Sequence, residues 1–199
     1  MPIPAPTPIA LSINAWLALD EDVDGELVNG HLEEEEVASW EHEIVVSWLI
    51  AVLRAWIIPR GGFVLGSETK IVIAPGRGRK PDVLAFFGPR RPGPTAMPPD
   101  IVVEVITSTP RDQRRDRIEK KADYAAIGVG QYWLVDPVAR TFEILSLRPD
   151  RCFLEVLGAT EGTHDVPGCE GLRIDLDALW LEVAHGLSFF VGEVTDSDA

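Results

Sequence analysis

The sequence lacks the features that mark several large classes of protein. Its 199 residues include only two cysteines, Cys152 and Cys169. They have no zinc-site spacing and a disulfide framework is not expected, so both should be buried as small apolar side chains. No apolar run approaches the roughly 20 residues needed to span a membrane, and the first residues lack the basic and apolar regions of a secretory signal. The sequence therefore predicts a cytoplasmic protein without a membrane segment.

Basic residues are also scarce. The chain has 18 Lys and Arg against 32 Asp and Glu, a net charge of −14, which argues against general attraction to nucleic acid because phosphate contacts need Lys and Arg. Residues 54–121 nevertheless hold 14 of the 18 basic residues and 7 of the 32 acidic ones, which is +7 locally and −21 elsewhere. This asymmetry indicates one side that faces a polyanion, although chance clustering on a solvated surface would give the same pattern.

Hydrophobic periodicity predicts one domain over residues 12–185, in which strands and helices alternate. An extended arm (residues 1–11) is expected before it and a polar tail (residues 186–199) after it. Ser12 is expected to begin a short helix, and Asn29-Gly30 predicts a hairpin turn. The other predicted helices are Val37–Ile57, Arg111–Ile127 and Leu176–Ala184. The other predicted strands are one or two over Phe63–Ala74, then Asp82–Phe87, Ile101–Ile106, Gln131–Val135, Thr141–Leu147, Cys152–Leu157 and Leu172–Ile174, with loops over 75–80 and 88–100.

Two carboxylates lie in or at the edge of apolar strands, 22 residues apart. Asp82 opens one strand, and Glu104 lies in a strand so apolar that it is expected at the centre of a sheet, buried on both faces. A carboxylate in such a place costs several kcal/mol unless it is paired or bound to a cation. Asp82 and Glu104 therefore suggest a site for a hard metal ion such as Mg²⁺. A buried structural ion pair between Glu104 and a lysine is the alternative.

The following helix supplies that lysine. Asp116, Lys120 and Tyr124 are spaced by four residues, so they share one face of a helix. Lys120 is expected to point toward the two carboxylates, where it would stabilise the charge of a pentavalent phosphate or orient the attacking water. Lys121 points about 100° away and is the less favoured lysine.

Three blocks of sequence in this order carry a resemblance to a known family. They are Lys80-Pro81-Asp82, then Val102-Val103-Glu104-Val105-Ile106, then Lys120-x-x-x-Tyr124-x-x-x-Gly128-Val129-x-Gln131-Tyr132-Trp133-Leu134-Val135-Asp136-Pro137. The chain resembles the bacterial Uma2 family of restriction-endonuclease-like proteins, within the PD-(D/E)XK nuclease superfamily. The resemblance extends upstream to the Asp24–Gly30 stretch and His42, and covers roughly residues 12–185.

The resemblance implies an α/β (α+β) fold with a restriction-endonuclease-like core, in which a central mixed β-sheet is flanked by helices on both faces. It also implies a site built from Asp82, Glu104 and a lysine. In the superfamily's usual pattern that lysine stands two residues after the glutamate, where this chain has Ile106. The family places the lysine on the next helix, which corresponds to Lys120, and an N-terminal glutamate of the family corresponds to Glu26.

The expected function is that of a DNA endonuclease that uses Mg²⁺ or Mn²⁺. Asp82, Glu104 and the backbone carbonyl of Val105 would bind the metal, with Glu26 as a possible indirect contact. The residues expected to meet phosphates are Arg79, Lys80, Arg114 and Arg115, and those expected to support the site are His42, Asp116 and Tyr124. A homodimer suits a duplex cutter because two strands need two sites. The alternatives are a nuclease-fold protein that has lost catalysis and acts in binding or regulation, and a phosphodiesterase acting on small nucleotides.

Overall fold

The structure is a computed structural model that describes residues 10–20, 23, 25–34, 37–89, 93, 98–106 and 109–191, with the backbone alone at positions 110, 112 and 187–191. The helices are α1 (Ile13–Leu17), α2 (Trp40–Ile57), α3 (Pro110–Arg114), α4 (Lys121–Ile127) and α5 (Leu176–Val191), and a π-helical segment, Arg115–Lys120, joins α3 to α4. The strands are β1 (Glu26–Val28), β2 (His31–Glu33), β3 (Phe63–Leu65), β4 (Ile71–Ala74), β5 (Arg77–Arg79), β6 (Val83–Phe86), β7 (Ile101–Val105), β8 (Gln131–Asp136), β9 (Thr141–Leu147), β10 (Phe153–Ala159), β11 (Thr163–Asp165) and β12 (Arg173–Asp175).

Six of the described strands form the main sheet, in the order β10-β9-β8-β7-β6-β3. Only the pairing of β7 with β8 is parallel, so the sheet is mixed. All five residues of β7 are buried. This confirms the prediction that the strand containing Glu104 lies at the centre of a sheet, where a continuous apolar run is needed to cover both faces.

Helices cover both faces of this sheet, as predicted. On one face α2 and α5 pack against it, because apolar residues recur along α2 at three- and four-residue steps; Val45, Leu49 and Leu53 are fully buried there. On the other face Tyr124 of α4 packs with Tyr132 of β8, ring edge to ring face. The chain segments that carry the candidate site residues are therefore held on a rigid sheet.

A second sheet, in the order β2-β1-β5-β4, lies beside the first. Its β1–β2 hairpin confirms the turn predicted at Asn29-Gly30, where both residues have positive φ. Strand β5 is a correction, because this segment was predicted to be a loop. Gly78 of β5 packs so close to the Trp16 ring that a Cβ atom there would lie 2.2 Å from it, so the packing of Trp16 against this strand requires a glycine.

Several boundaries also differ from the prediction. Helix α2 begins at Trp40, where the Ser39 side chain accepts a hydrogen bond from the His42 amide, and α5 continues to Val191 rather than ending at Ala184. Strand β11 was not predicted. Cys169 is buried as expected, but Cys152 is exposed. Positions 1–9, 90–92, 94–97 and 192–199, which contain most of the predicted arm, loop and tail, lie outside the described residues.

One helical stretch, Trp40–Arg60, is long and apolar enough to cross a membrane by length and composition alone. This differs from the prediction that no apolar run approaches that length. Val45, Leu49, Leu53 and Ile57 of this stretch are buried in the protein core. A core helix passes the same test, so the stretch is weak evidence for a membrane span.

Candidate active site

One cavity of about 330 Å³ brings together the three residues predicted to be catalytic. Asp82 comes from the turn before β6, Glu104 from the penultimate position of β7, and Lys120 from the end of the π-helical segment. β6 and β7 are neighbours and pair antiparallel, so the start of one strand lies beside the end of the other. The two carboxylates, separated by 22 positions in sequence, therefore face the same cavity.

Glu104 is the most enclosed of the carboxylates in this cavity. The residue is 2% exposed, and Lys120 Nζ donates a hydrogen bond of 2.8 Å to Oε2 while the Tyr124 hydroxyl donates to Oε1. Burial raises the pKa of Glu104 well above its ordinary value; Lys120 opposes this shift, but the carboxylates of Asp82, Asp116 and Glu26 add to it. A carboxylate in such a position gains strongly from additional positive charge.

Lys120 lies at the centre of a ring of carboxylates. Besides Glu104, its Nζ is 3.4 Å from Asp116 Oδ1 and 3.5 Å from Glu26 Oε1. Burial alone would lower the pKa of Lys120, but these carboxylates and Asp82 raise it well above the ordinary lysine value. Lys120 is therefore a fixed cation at neutral pH and cannot serve as a general base.

Asp82 is held from two sides. Its Oδ2 accepts a hydrogen bond of 2.7 Å from the Val105 amide, and its Oδ1 lies 3.2 Å from His42 Nε2. Burial opposes protonation of His42, but the hydrogen bond and charge of Asp82, together with Glu43, raise the pKa of the imidazole above its ordinary value. The predicted supporting residue His42 thus fixes Asp82 from the first turn of α2.

The π-helical segment explains how three of its own polar residues point into the interior together. Arg115, Asp116 and Lys120 are all buried. In an α-helix, residues five apart point about 140° away from each other, so Arg115 would not share a face with Lys120. The i→i+5 spacing of a π-helix aligns them. A continuous helix was predicted here, because nothing in the residue pattern distinguishes a π-helix from an α-helix.

Arg79 was predicted to contact phosphates, and the structure places it elsewhere. Its side chain is fully buried, with Nη1 2.7 Å from Glu26 Oε2 and Nη2 2.7 Å from Asp123 Oδ2. Burial opposes its charge, but Glu26 and Asp123 raise the pKa of Arg79. Arg79 therefore links the second sheet to α4 and cannot reach an external phosphate. Glu26, in turn, connects Arg79 to Lys120, and Asp123 is a member of this network that the sequence analysis missed.

Replacing Arg79 by methionine is expected to lower the free energy of unfolding by about 3 kcal/mol, because two buried carboxylates would each lose one cation, which leaves Glu26 with Lys120 and Asp123 with Arg77. Urea unfolding measures this change. Arg173→Met is the matched control, since Arg173 pairs with Asp165 at an exposed position and its loss should cost less than about 1 kcal/mol. Equal losses in the two variants would show that the Arg79 network does not stabilise the fold.

The other predicted phosphate contacts line the active-site cavity or the cavity beside it. Lys80 lines the cavity, with Nζ 2.6 Å from Glu68 Oε2. Arg114 is exposed and lines an adjacent cavity with Arg111, and Arg115 lines both cavities. Glu68 and Arg111 were not singled out by the sequence analysis. Both lie in irregular or terminal segments, where a lone charged residue carries no periodic signal.

The donor atoms in this cavity suit Mg²⁺ in kind. Within the described part of the chain, no group of three or more His, Cys, Asp or Glu side chains is arranged to hold a metal ion. Mg²⁺, however, often needs only one or two carboxylates, with water and substrate oxygens completing its shell. Asp82, Glu104 and Val105 line one cavity, and the raised pKa of Glu104 shows that its site favours added positive charge. These residues therefore fit a two-carboxylate site.

Comparison with known proteins identifies a family and a fold. The family model described as "Uma2: Putative restriction endonuclease" matches residues 13–183. Among solved structures, the chain is similar to the crystal structure of "a putative nuclease" from Anabaena variabilis, with a TM-score of 0.70 and 17% sequence identity over 87% of this chain and 99% of that one. The search of curated proteins finds no match. The structural likeness confirms the restriction-endonuclease-like fold.

Proposed function

We propose, because the chain belongs to the Uma2 family of restriction-endonuclease-like proteins, a specific activity. The protein would be a metal-dependent nuclease and would hydrolyse phosphodiester bonds in DNA. One observation carries the proposal. Asp82, Glu104 and Lys120, from three separate elements, line a single cavity that opens to solvent. Two carboxylates and a lysine around a space that admits a phosphate are the groups that phosphodiester hydrolysis requires.

Asp82, Glu104 and the Val105 carbonyl would hold the metal in this proposal. A bound Mg²⁺ or Mn²⁺ supplies Lewis-acid polarisation of the phosphate and lowers the pKa of a bound water. The protein's part is to orient the donors. His42 and the Val105 amide hold the Asp82 carboxylate. The Tyr124 hydroxyl group holds Glu104 by a hydrogen bond to Oε1.

Lys120 acts as a positive charge in this mechanism. Because the surrounding carboxylates keep it protonated, it can donate a hydrogen bond to a phosphate oxygen and stabilise the charge that develops there. Asp116 and Glu26 hold its ammonium group at the cavity wall. Of the two roles that the sequence analysis considered, the stabilisation of charge is the one that this environment favours.

Arginines of α3 and the π-helical segment support DNA as the substrate despite the net charge of −14. Arg111 and Arg114 are exposed beside the active-site cavity, and Arg115 lines both this cavity and the adjacent one. We propose that Arg114 and Arg115 contact phosphates next to the scissile bond. The nearby Glu33 and Glu119 would weaken this contact, and because the salt dependence of binding scales with the number of phosphates contacted, affinity should fall only modestly with salt concentration.

The experiment that tests the proposal is cleavage of supercoiled, linear and single-stranded DNA by purified protein with Mg²⁺ or Mn²⁺. Asp82→Asn is expected to reduce the rate about 10²–10³-fold, the usual cost of removing one stabilising group from an active site. Asp165→Asn is the matched control, because that carboxylate is 88% exposed and pairs only with Arg173 among the described residues. The proposal fails if the wild type leaves every substrate intact while a known nuclease is active in the same buffer.

A second candidate is a nuclease-fold protein that binds without cleaving. The favouring observation is that the carboxylates around the cavity already contact cations: Glu104 contacts Lys120, Asp82 contacts His42, and Glu26 contacts Arg79. Titration calorimetry with Mn²⁺ separates the two candidates. A binding module of this kind takes up no metal, whereas the nuclease binds Mn²⁺ and loses that binding in Glu104→Ala.

A further inference from the structure

The ion pair between Lys80 and Glu68 differs from the ion pairs that Arg79 and Lys120 make around the cavity. Lys80 is a buried cation, with a side chain 3% exposed, whereas the side chain of Glu68 is 75% exposed. The carboxylates that face Arg79 and Lys120 are themselves at most 10% exposed. The anion on Lys80 can therefore exchange with solvent without opening the core, while the anions on Arg79 and Lys120 cannot.

Lys80 lies beside the catalytic residues in sequence and in space. It is two residues before Asp82, and both side chains line the same cavity as Glu104 and Lys120. Its backbone amide donates a hydrogen bond of 3.0 Å to Glu26 Oε1, which fixes the chain at this point. The amine is thus held at a defined place in the cavity wall, next to where a scissile phosphate would enter.

Glu68 is positioned by an unusual backbone conformation. It lies in the turn between β3 and β4 with φ of 70°, in the left-handed region that residues with a Cβ atom rarely adopt. Such conformations persist where the surrounding contacts hold them, and they cluster at ligand clamps and switch regions. The Glu68 side chain is held by its contact with the Lys80 amine.

We infer that the Lys80 amine is a phosphate subsite of the active-site cavity and that the Glu68 carboxylate occupies it as an internal competitor until a substrate phosphate displaces it. The inference rests on the proposed function, because it takes the substrate's anion to be a phosphate. A carboxylate and a phosphate offer a lysine the same charge-assisted hydrogen bond. The exposed side chain of Glu68 can swing into solvent while Lys80 stays in place.

The test measures the affinity for inorganic phosphate, without metal, from the rise of Tm with phosphate concentration at constant ionic strength. Glu68→Gln keeps the size of the side chain and removes its charge, and it is expected to bind phosphate about fivefold more tightly than the wild type. Glu43→Gln is the matched control. Glu43 is another exposed carboxylate lining this cavity, but it contacts His42 rather than Lys80, so its effect should stay within about twofold.

A double variant, Glu68→Gln with Lys80→Met, is expected to lose the gain. Three outcomes overturn the inference: equal gains in Glu68→Gln and Glu43→Gln, a gain that persists without Lys80, or no phosphate binding by any variant. Cleavage of DNA by the wild type, measured alongside, separates this failure from that of the proposed function. If the wild type cleaves DNA but Glu68→Gln shows no gain in phosphate affinity, only the subsite is refuted. If Glu68→Gln shows the gain but the wild type does not cleave DNA, the subsite stands and the proposed nuclease function is refuted.

Discussion

Lys120→Met is expected to lower the free energy of unfolding by about 3–5 kcal/mol and to reduce DNA cleavage at least about 10³-fold. The variant leaves Glu104, Glu26 and Asp116 around a buried space with no ammonium group, and in the wild type all three lie within 3.5 Å of Lys120 Nζ. The carboxyl groups respond in part by taking up protons, which limits the cost. Urea unfolding and plasmid cleavage measure the two effects separately.

Lys121→Met provides the matched control for this prediction. Lys121 follows directly on the helix but is half-buried and outside the cavity, so its replacement should change stability by less than about 0.5 kcal/mol. A Lys120→Met, Glu104→Gln double variant should recover part of the stability, because the carboxylate nearest to the missing ammonium group is then neutral, and none of the activity. If Lys120→Met is as stable as Lys121→Met, Lys120 is not the electrostatic centre of this cluster.

Glu104→Gln is expected to separate stability from activity. Its cleavage rate should fall about 10²–10³-fold, while its free energy of unfolding at pH 7 stays equal to or above that of the wild type. The reason is that burial of the Glu104 carboxylate is costly, as its raised pKa records, and a glutamine can still meet the Tyr124 hydroxyl. Val105→Ala, which removes two methyl groups from the next strand position, controls for local packing and should lose stability instead.

The pH dependence of stability tests the same carboxyl group. Because the pKa of Glu104 in the folded state lies above its ordinary value of 4.5, the folded state binds this proton more tightly than the unfolded state. The wild type should therefore lose stability relative to Glu104→Gln as pH rises from about 4.5 through the folded-state pKa. A wild type that instead gains stability over this range would show that Lys120 lowers the pKa of Glu104. That result would contradict the assignment of Glu104 to the metal site.

Part of this site could be predicted because burial of charge leaves a mark in sequence. Glu104 stands in an otherwise apolar strand, and a charge in such a place needs a partner. The four-residue spacing of Asp116, Lys120 and Tyr124 identified the helix face that supplies it. The structure places all of these residues together, with Lys120 and Tyr124 both on Glu104. The mixed central sheet with helices on both faces was predicted from the family resemblance.

The remaining features depend on contacts between segments that no local pattern records. Arg79 sits in a Gly-rich stretch that is typical of a loop, yet strand pairing with β1 carries it inside to meet Glu26. Glu68 is distant from the motif that contains Lys80, and only the turn between β3 and β4 brings the two together. Asp123 pairs with arginines 44 and 46 residues away. A sequence shows that such charges exist, but their partners are determined by the fold.

The π-helical segment has an evolutionary consequence. A π-helix is rare and occurs mostly as a single wide turn inside an α-helix, frequently at a functional site. Loss of one residue from Arg115–Lys120 would leave Lys120 anchored to α4 through its neighbours and would turn the preceding arginines around the helix axis. A lineage could therefore gain or shed a cavity-lining arginine such as Arg115 by an insertion or deletion of one codon, with Asp82 and Glu104 untouched. The direction of these arginine side chains could thus change while the two carboxylates of the cavity keep their places.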